Sequence, residues 1–241
     1  TVTLTLDDDC QQTSISYVVN NTFPNVIVSS NTSVCSGSLA SLTASGAANY
    51  IWNPSVGLSS TTGSVIVVAP TSTSTYSVIG INPGGCKDTT VFTFTVNSVP
   101  TVMTSSNITI CSGQSAILTA SGTLNYIWSP SAGLNSITGS SVTASLTSTA
   151  SYTVTGTAAN GCNDTAIVSV TVDPSPTITV NGTNSICIGD LTSLTASGAV
   201  TYMWNTGSTS VSITVQPTAM VTYTVTGTSV NGCTDTVTVT V

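Results

Sequence analysis

The side chains best able to do chemistry sit in three short stretches: "GCKDTT" at 85–90, "GCNDTA" at 161–166 and "GCTDTV" at 232–237. Each places a thiol two residues before a carboxylate and three before a hydroxyl. That grouping could be a nucleophile, a redox centre, a metal ligand, a disulfide or an address for modification. A nucleophilic cysteine draws on His or another base, and the 241-residue chain contains no His. A zinc site needs four ligands, usually at CxxC or His spacing. Each stretch is matched by a single further Cys upstream. Acid–base chemistry uses His, paired carboxylates or a tuned Lys. The chain has one Lys (Lys87) and no Arg, and its eight acids are all Asp. Apart from Asp7, Asp8 and Asp9 they are scattered. These counts argue against an enzyme, and they imply no cofactor.

Charged residues make up 4% of the chain, with a net charge of −7, where a soluble domain has about 25%. One cation cannot neutralise a phosphate backbone, so nucleic-acid binding is excluded. A basic membrane-surface patch is excluded on the same ground. No apolar run approaches the roughly 18 residues of a membrane helix; "VIVVA" at 65–69 has the length of a strand. The first residue is Thr, with no apolar leader, so a processed form or a fragment is expected.

The elements that must position the cysteines come in three copies. "SVCSGSLASLTASGAANYIWNPSVGL" from Ser33, "TICSGQSAILTASGTLNYIWSPSAGL" from Thr109 and "SICIGDLTSLTASGAVTYMWNTGS" from Ser185 align at a step of 76 residues. Trp52, Trp128 and Trp204 keep that step. Tyr76 and Tyr152 keep it too, but Tyr223 follows 71 residues later. The third copy has therefore lost five residues after Trp204, where the others carry "PSVGL" and "PSAGL". Loops tolerate deletion better than strands do.

Thr and Val suit a pleated, half-buried surface. Units of this size with short alternating strands and Gly/Pro turns predict an all-β chain of small β-sandwiches. The boundaries expected are 1–25 for an N-terminal β-strand extension, then 26–99, 100–175 and 176–241. The middle unit is predicted to have strands at 102–108, 115–120, 125–129, 141–145, 150–157 and 165–172. "NPGG", "AANG" and "SVNG" before the last strands look like hairpin turns. The linkers "NSVPT" and "DPSPT" are short and contain Pro, so they should be semi-rigid. "TVTLTL" at 1–6 either completes the sheet of a neighbouring molecule or forms a local hairpin with "SISYVV" at 14–19.

Residues i and i+2 of a strand share a face. Tyr50 and Trp52, Tyr126 and Trp128, and Tyr202 and Trp204 are thus predicted to point inward with Tyr76, Tyr152 and Tyr223. Burying all nine leaves no aromatic platform of the kind that stacks on sugars.

Six of the seven cysteines recur within units. The first of each precedes the second strand and the other sits at the turn before the last. If both lie at one end of a sandwich, the expected bridges are Cys35–Cys86, Cys111–Cys162 and Cys187–Cys233. Disulfides imply an oxidising, extracytoplasmic compartment. Cys10, in "DDDCQQ", is left either unpaired or intermolecular. Asp7, Asp8 and Asp9 form either a weak Ca²⁺ site or a solvated acidic turn.

The repeated Cys-Ser-Gly, Leu-Thr-Ala-Ser-Gly, Tyr-x-Trp and Gly-Cys-x-Asp-Thr elements resemble the immunoglobulin-like, PKD-like tandem repeats of large Bacteroidota surface proteins. Those proteins are associated with gliding or adhesion and are often exported by the type IX system. The resemblance covers about 26–241 and implies three tandem immunoglobulin-like domains. "DTT", "DTA" and "DTV" are similar to the O-glycosylation motif of that phylum, which implies Thr89, Thr165 and Thr236 as candidate acceptors. Alternatively, the Asp caps a turn and the Thr begins a strand. Sequons at Asn20, Asn31, Asn107, Asn163 and Asn181 matter only in hosts with that pathway.

A surface so poor in charge calls for glycan cover or burial against neighbours. The function expected is an extracellular or cell-surface structural protein, a subunit of a filament that self-associates through its N-terminal strand. The alternatives are a stalk segment of a large adhesin and a glycan-binding module.

Overall fold

The computed structural model describes residues 2–8, 11–17, 23–29 and 33–241, with 2–8 and 11–17 as backbone. Residues 1–99 and 100–241 form two compact units. Among the described residues every regular element is a β-strand.

In the first unit, β1 (Val2–Asp8) and β2 (Gln11–Tyr17) form an antiparallel hairpin, with Val2 opposite Tyr17 and Asp8 opposite Gln11. The first repeat follows as β3 (Ile27–Ser29), β4 (Ser33–Cys35), β5 (Ala40–Ser45), β6 (Asn49–Asn53), β7 (Val65–Val68), β8 (Ser74–Ile81) and β9 (Lys87–Asn97). These make two sheets, β3-β5-β7 and β4-β9-β8-β6.

The second unit holds two repeats. The first has β10 (Met103–Thr104), β11 (Ile108–Cys111), β12 (Ser115–Ser121), β13 (Asn125–Ser129), β14 (Ser141–Ser145), β15 (Ala150–Thr157) and β16 (Asn163–Asp173), in sheets β10-β12-β14 and β11-β16-β15-β13. The last repeat has β17 (Thr179–Asn181), β18 (Thr192–Ser197), β19 (Thr201–Trp204), β20 (Ser212–Val215), β21 (Thr222–Thr228) and β22 (Thr234–Thr240), in sheets β17-β18-β20 and β19-β21-β22. The chain is thus a tandem of immunoglobulin-like β-sandwiches.

The strand expected at 102–108 is two strands. Met103 and Thr104 pair antiparallel with β12 in one sheet. Ile108–Cys111 pair parallel with β16 in the other. The polar "SSN" between them carries the chain across the sandwich edge. The counterpart of β11 in the last repeat, residues 184–187, joins no strand pair.

Alternating residues of each sheet face inward and form one core per repeat. Trp52, Trp128 and Trp204 are each 1% exposed, and all six Tyr of the repeats are buried with them. Such side chains bring 150–250 Å² each into a core. Their polar atoms are satisfied locally. The indole N–H of Trp52, Trp128 and Trp204 donates to the carbonyls of Gly63, Gly139 and Ser210. The hydroxyls of Tyr50, Tyr126 and Tyr202 each meet the N–H and C=O of the residue three before them.

One glycine per repeat is required for a close approach. A Cβ on Gly122, at φ 109°, would lie 1.9 Å from the Thr101 carbonyl oxygen. Gly46 and Gly198 stand in the same relation to Asn25 and Thr177. The Gly of "LTASG" thereby seats the entering chain against its repeat.

Candidate functional site at the cysteine poles

The cysteines of one repeat lie at opposite poles. In the parallel pair β11–β16, Cys111 stands opposite Asp173, the last residue of β16. Cys162 immediately precedes Asn163, the first residue of that strand. Eleven residues of strand at about 3.3 Å each separate the two by roughly 36 Å. A disulfide needs Cα atoms within about 7 Å. The first repeat repeats this arrangement, with Cys35 opposite Asn97 and Cys86 just before Lys87.

The bridges expected within repeats, Cys35–Cys86, Cys111–Cys162 and Cys187–Cys233, are therefore not the ones formed. Cys111 is bonded to Cys233, across 122 residues of sequence, with Cα atoms 5.5 Å apart. The bond joins the far pole of one repeat to the Gly-Cys turn of the next. Cys35 and Cys162 are each in a disulfide as well. Cys86 is a half-buried thiol and Cys187 an exposed one. Cys10 and Asp9 lie outside the described residues, as do the side chains of Asp7 and Asp8, so the candidate Ca²⁺ site does too.

The Gly-Cys turns are built to hold the sulfur in place. Ser229 N–H donates to the Cys233 carbonyl at 2.8 Å, and Gly232 N–H to the Ser229 carbonyl at 3.1 Å. The Ser229 hydroxyl accepts from Cys233 N–H. Ala158, Gly161 and Asn160 do the same for Cys162. Cys233 is 1% exposed, and its Sγ lies 3.9 Å from the Asp173 carbonyl oxygen at the end of the preceding repeat.

In the first two repeats the Asp two residues after the Gly-Cys cysteine has a structural partner. Asp164 Oδ2 accepts from Val102 N–H at 2.9 Å, which ties the last strand to the entry of its own repeat. That bond, joined by one from Thr165 N–H, holds the carboxyl below its ordinary pKa. Asp88 makes the matching bonds to Val26 and Thr89 at 2.9 Å. The contact reaches across the repeat, rather than only capping a local turn. Thr89, Thr165 and Thr236 are exposed; the Thr236 hydroxyl lies 3.0 Å from that of Thr226.

Nothing else among the described residues gathers chemistry. No group of three or more Cys, Asp, Glu or His side chains comes together there. The repeat aromatics are in the cores, and Phe23 is the exposed ring among the described aromatics. Burial raises the Tyr152 phenol above its ordinary pKa, in keeping with a packing role. Among the described residues no helix is long and apolar enough to cross a membrane.

Residues 97–176 match the model of a family described as Ig-like domain CHU_C associated. No curated protein matches the chain. Solved structures with a similar course include a Ca²⁺-stabilized adhesin with which an Antarctic bacterium binds ice. It is 12% identical, covering 99% of this chain and 79% of that one, with a TM-score of 0.38. Immunoglobulin domains 1–4 of Sidekick-1 are 15% identical over 86% of this chain and 72% of theirs, with a TM-score of 0.31. A structure from a 1.5-MDa bacterial ice-binding adhesin is 13% identical over 92% and 98%, with a TM-score of 0.29. The middle repeat, with the linkers on either side of it, is similar to an immunoglobulin-like domain family.

Proposed function

We propose that the chain is an extracellular structural protein, adhesin-like in build, whose repeats form part of a cell-surface fibre. The observation that carries this reading is the Cys111–Cys233 bond. A bridge between successive repeats adds little to either core, but it resists their separation. In the chain-entropy account, closing a loop of 122 residues stabilises by about 5 kcal/mol. Such bonds persist in oxidising compartments, which supports a place outside the cytoplasm.

The low charge supports burial against neighbours or cover by glycans. Self-association would run through the N-terminal hairpin, whose β1 is paired with β2 on one side and would add to a neighbour through its other edge. Thr89, Thr165 and Thr236 would accept the glycans. Electron microscopy and sedimentation of purified protein test this directly. Fibres that vanish on deleting residues 1–25 are expected; monodisperse monomers with and without that segment would reject it.

A second reading, a stalk that spaces a binding domain from the cell, draws support from the same bond and from the absence of any aromatic platform among the described residues. It predicts a monomer that binds nothing on a glycan array.

A further inference from the structure

We infer that Cys187 and the apolar pole around it form a covalent docking site for the Gly-Cys turn of another repeat of this type. Cys187 holds the repeat position of Cys111, and Cys111 is bonded to the Gly-Cys turn of the repeat that follows it. The two cysteines are presented by the same turn. Gln114 N–H donates to the Cys111 carbonyl at 2.9 Å, and Asp190 N–H to the Cys187 carbonyl at 3.0 Å. Gly113 N–H reaches the Leu146 carbonyl, and Gly189 N–H the Pro217 carbonyl. The preceding repeat therefore displays, with its partner in place, what this pole takes.

The surroundings differ as an unfilled seat would. Cys187 is exposed and opens into a cleft lined by Ile186, Ile188, Pro217, Met220 and Val241. Ile188 and Met220 are 84% and 86% exposed, where the preceding repeat carries Ser112 and Thr149. A thiol and exposed apolar side chains thus meet at one pole. Apolar surface of this kind marks interaction sites.

The bond would form by thiol–disulfide exchange with a disulfide oxidant, such as glutathione disulfide or a disulfide-carrying oxidoreductase. The Cys187 thiolate attacks one oxidant sulfur and expels a thiolate. The incoming turn's thiolate then attacks Cys187 Sγ, forming the Sγ–Sγ bond and expelling the second thiolate. Two protons leave the two cysteines, and the oxidant is reduced to two thiols.

The test extends the full chain after Val241 with a second copy of residues 171–241, which keeps the repeat register. The protein is equilibrated in glutathione redox buffer, alkylated and mapped by mass spectrometry. A peptide joining Cys187 to the copy of Cys233, with the copy of Cys187 alkylated, is expected. Cys187→Ser should abolish that peptide and leave the copy of Cys233 alkylated. A bridge between the copy's own two cysteines, or an alkylated Cys187 beside an intact Cys111–Cys233 bond, would overturn the proposal. Should the extension fail to fold, the chain of 241 residues with glutathione disulfide alone should acquire glutathione at Cys187; no adduct there overturns it as well. The inference deepens the structural reading, and the fates of the two are separable. Fibre formation is scored in reductant as well as without it, so a missing cross-link leaves that result standing.

Discussion

Tyr152 and Tyr223 hold one position in successive repeats and differ in what their hydroxyls meet. Tyr152 donates to the Ala132 carbonyl at 2.7 Å, as Tyr76 does to Val56 at 3.0 Å. Both acceptors lie in the loop that the last repeat has shortened, and Tyr223 is 8% exposed against 0% for Tyr152. Removing a buried hydroxyl from a satisfied bond costs about 1 kcal/mol or more, because the acceptor is stranded. Tyr152→Phe should therefore lower stability by about that amount, and Tyr223→Phe should be near neutral. Denaturant unfolding with an unchanged m-value checks both. Asp164 gives a pH signature at the same scale. Its carboxyl is held below its unfolded value by Val102 and Thr165. The stability it adds is thus complete above the unfolded value near pH 4 and is lost as pH falls through the folded one. Asp164→Asn should flatten the acid limb of a stability–pH profile below about pH 4 and leave the alkaline side unchanged.

At the scale of elements, most strands were legible because alternation of Val, Ile, Leu and Tyr with Thr and Ser is a direct record of two faces. The five later strands of the middle repeat, Ser115–Ser121 through Asn163–Asp173, fall close to the segments expected. The inward aromatics follow from the same alternation. The switch of the first strand between sheets was not legible, since "VMTSSNITI" reads as one alternating run. That switch decides where Cys111 goes. Repetition shows which cysteines are equivalent but not which pole each occupies, and the parallel pairing of β11 with the end of β16 places Cys111 far from Cys162. A bridge within the repeat was the natural expectation from spacing alone, and strand direction overturns it. The glycine of "LTASG" is a sharper constraint at this scale. Gly122→Ala would put a methyl 1.9 Å from the Thr101 carbonyl oxygen in a positive-φ conformation. The entering chain must move, at a cost of about 2–4 kcal/mol, read as a fall in melting temperature. An Ala at Gly37, with open space around it but the same sign of φ, should cost about 1 kcal/mol.

At the scale of the whole molecule, the proposed function assigns the chemistry-bearing residues a mechanical role. Cys162 and Cys233 in their Gly-Cys turns are disulfide-bonded, and Asp88 and Asp164 fasten the last strand of their repeats to the entering chain. On that reading, the Cys111–Cys233 bond limits how far the second and third repeats can be drawn apart. Pulling from Pro100 to Val241 tests this most directly. With Cys111–Cys233 intact, the 122 residues between the two cysteines carry no load. At about 3.5 Å per extended residue they conceal roughly 430 Å of contour length. Single-molecule stretching should show a short extension without reductant and a gain of about 430 Å once reductant is added. Equal extension in both conditions would contradict the account.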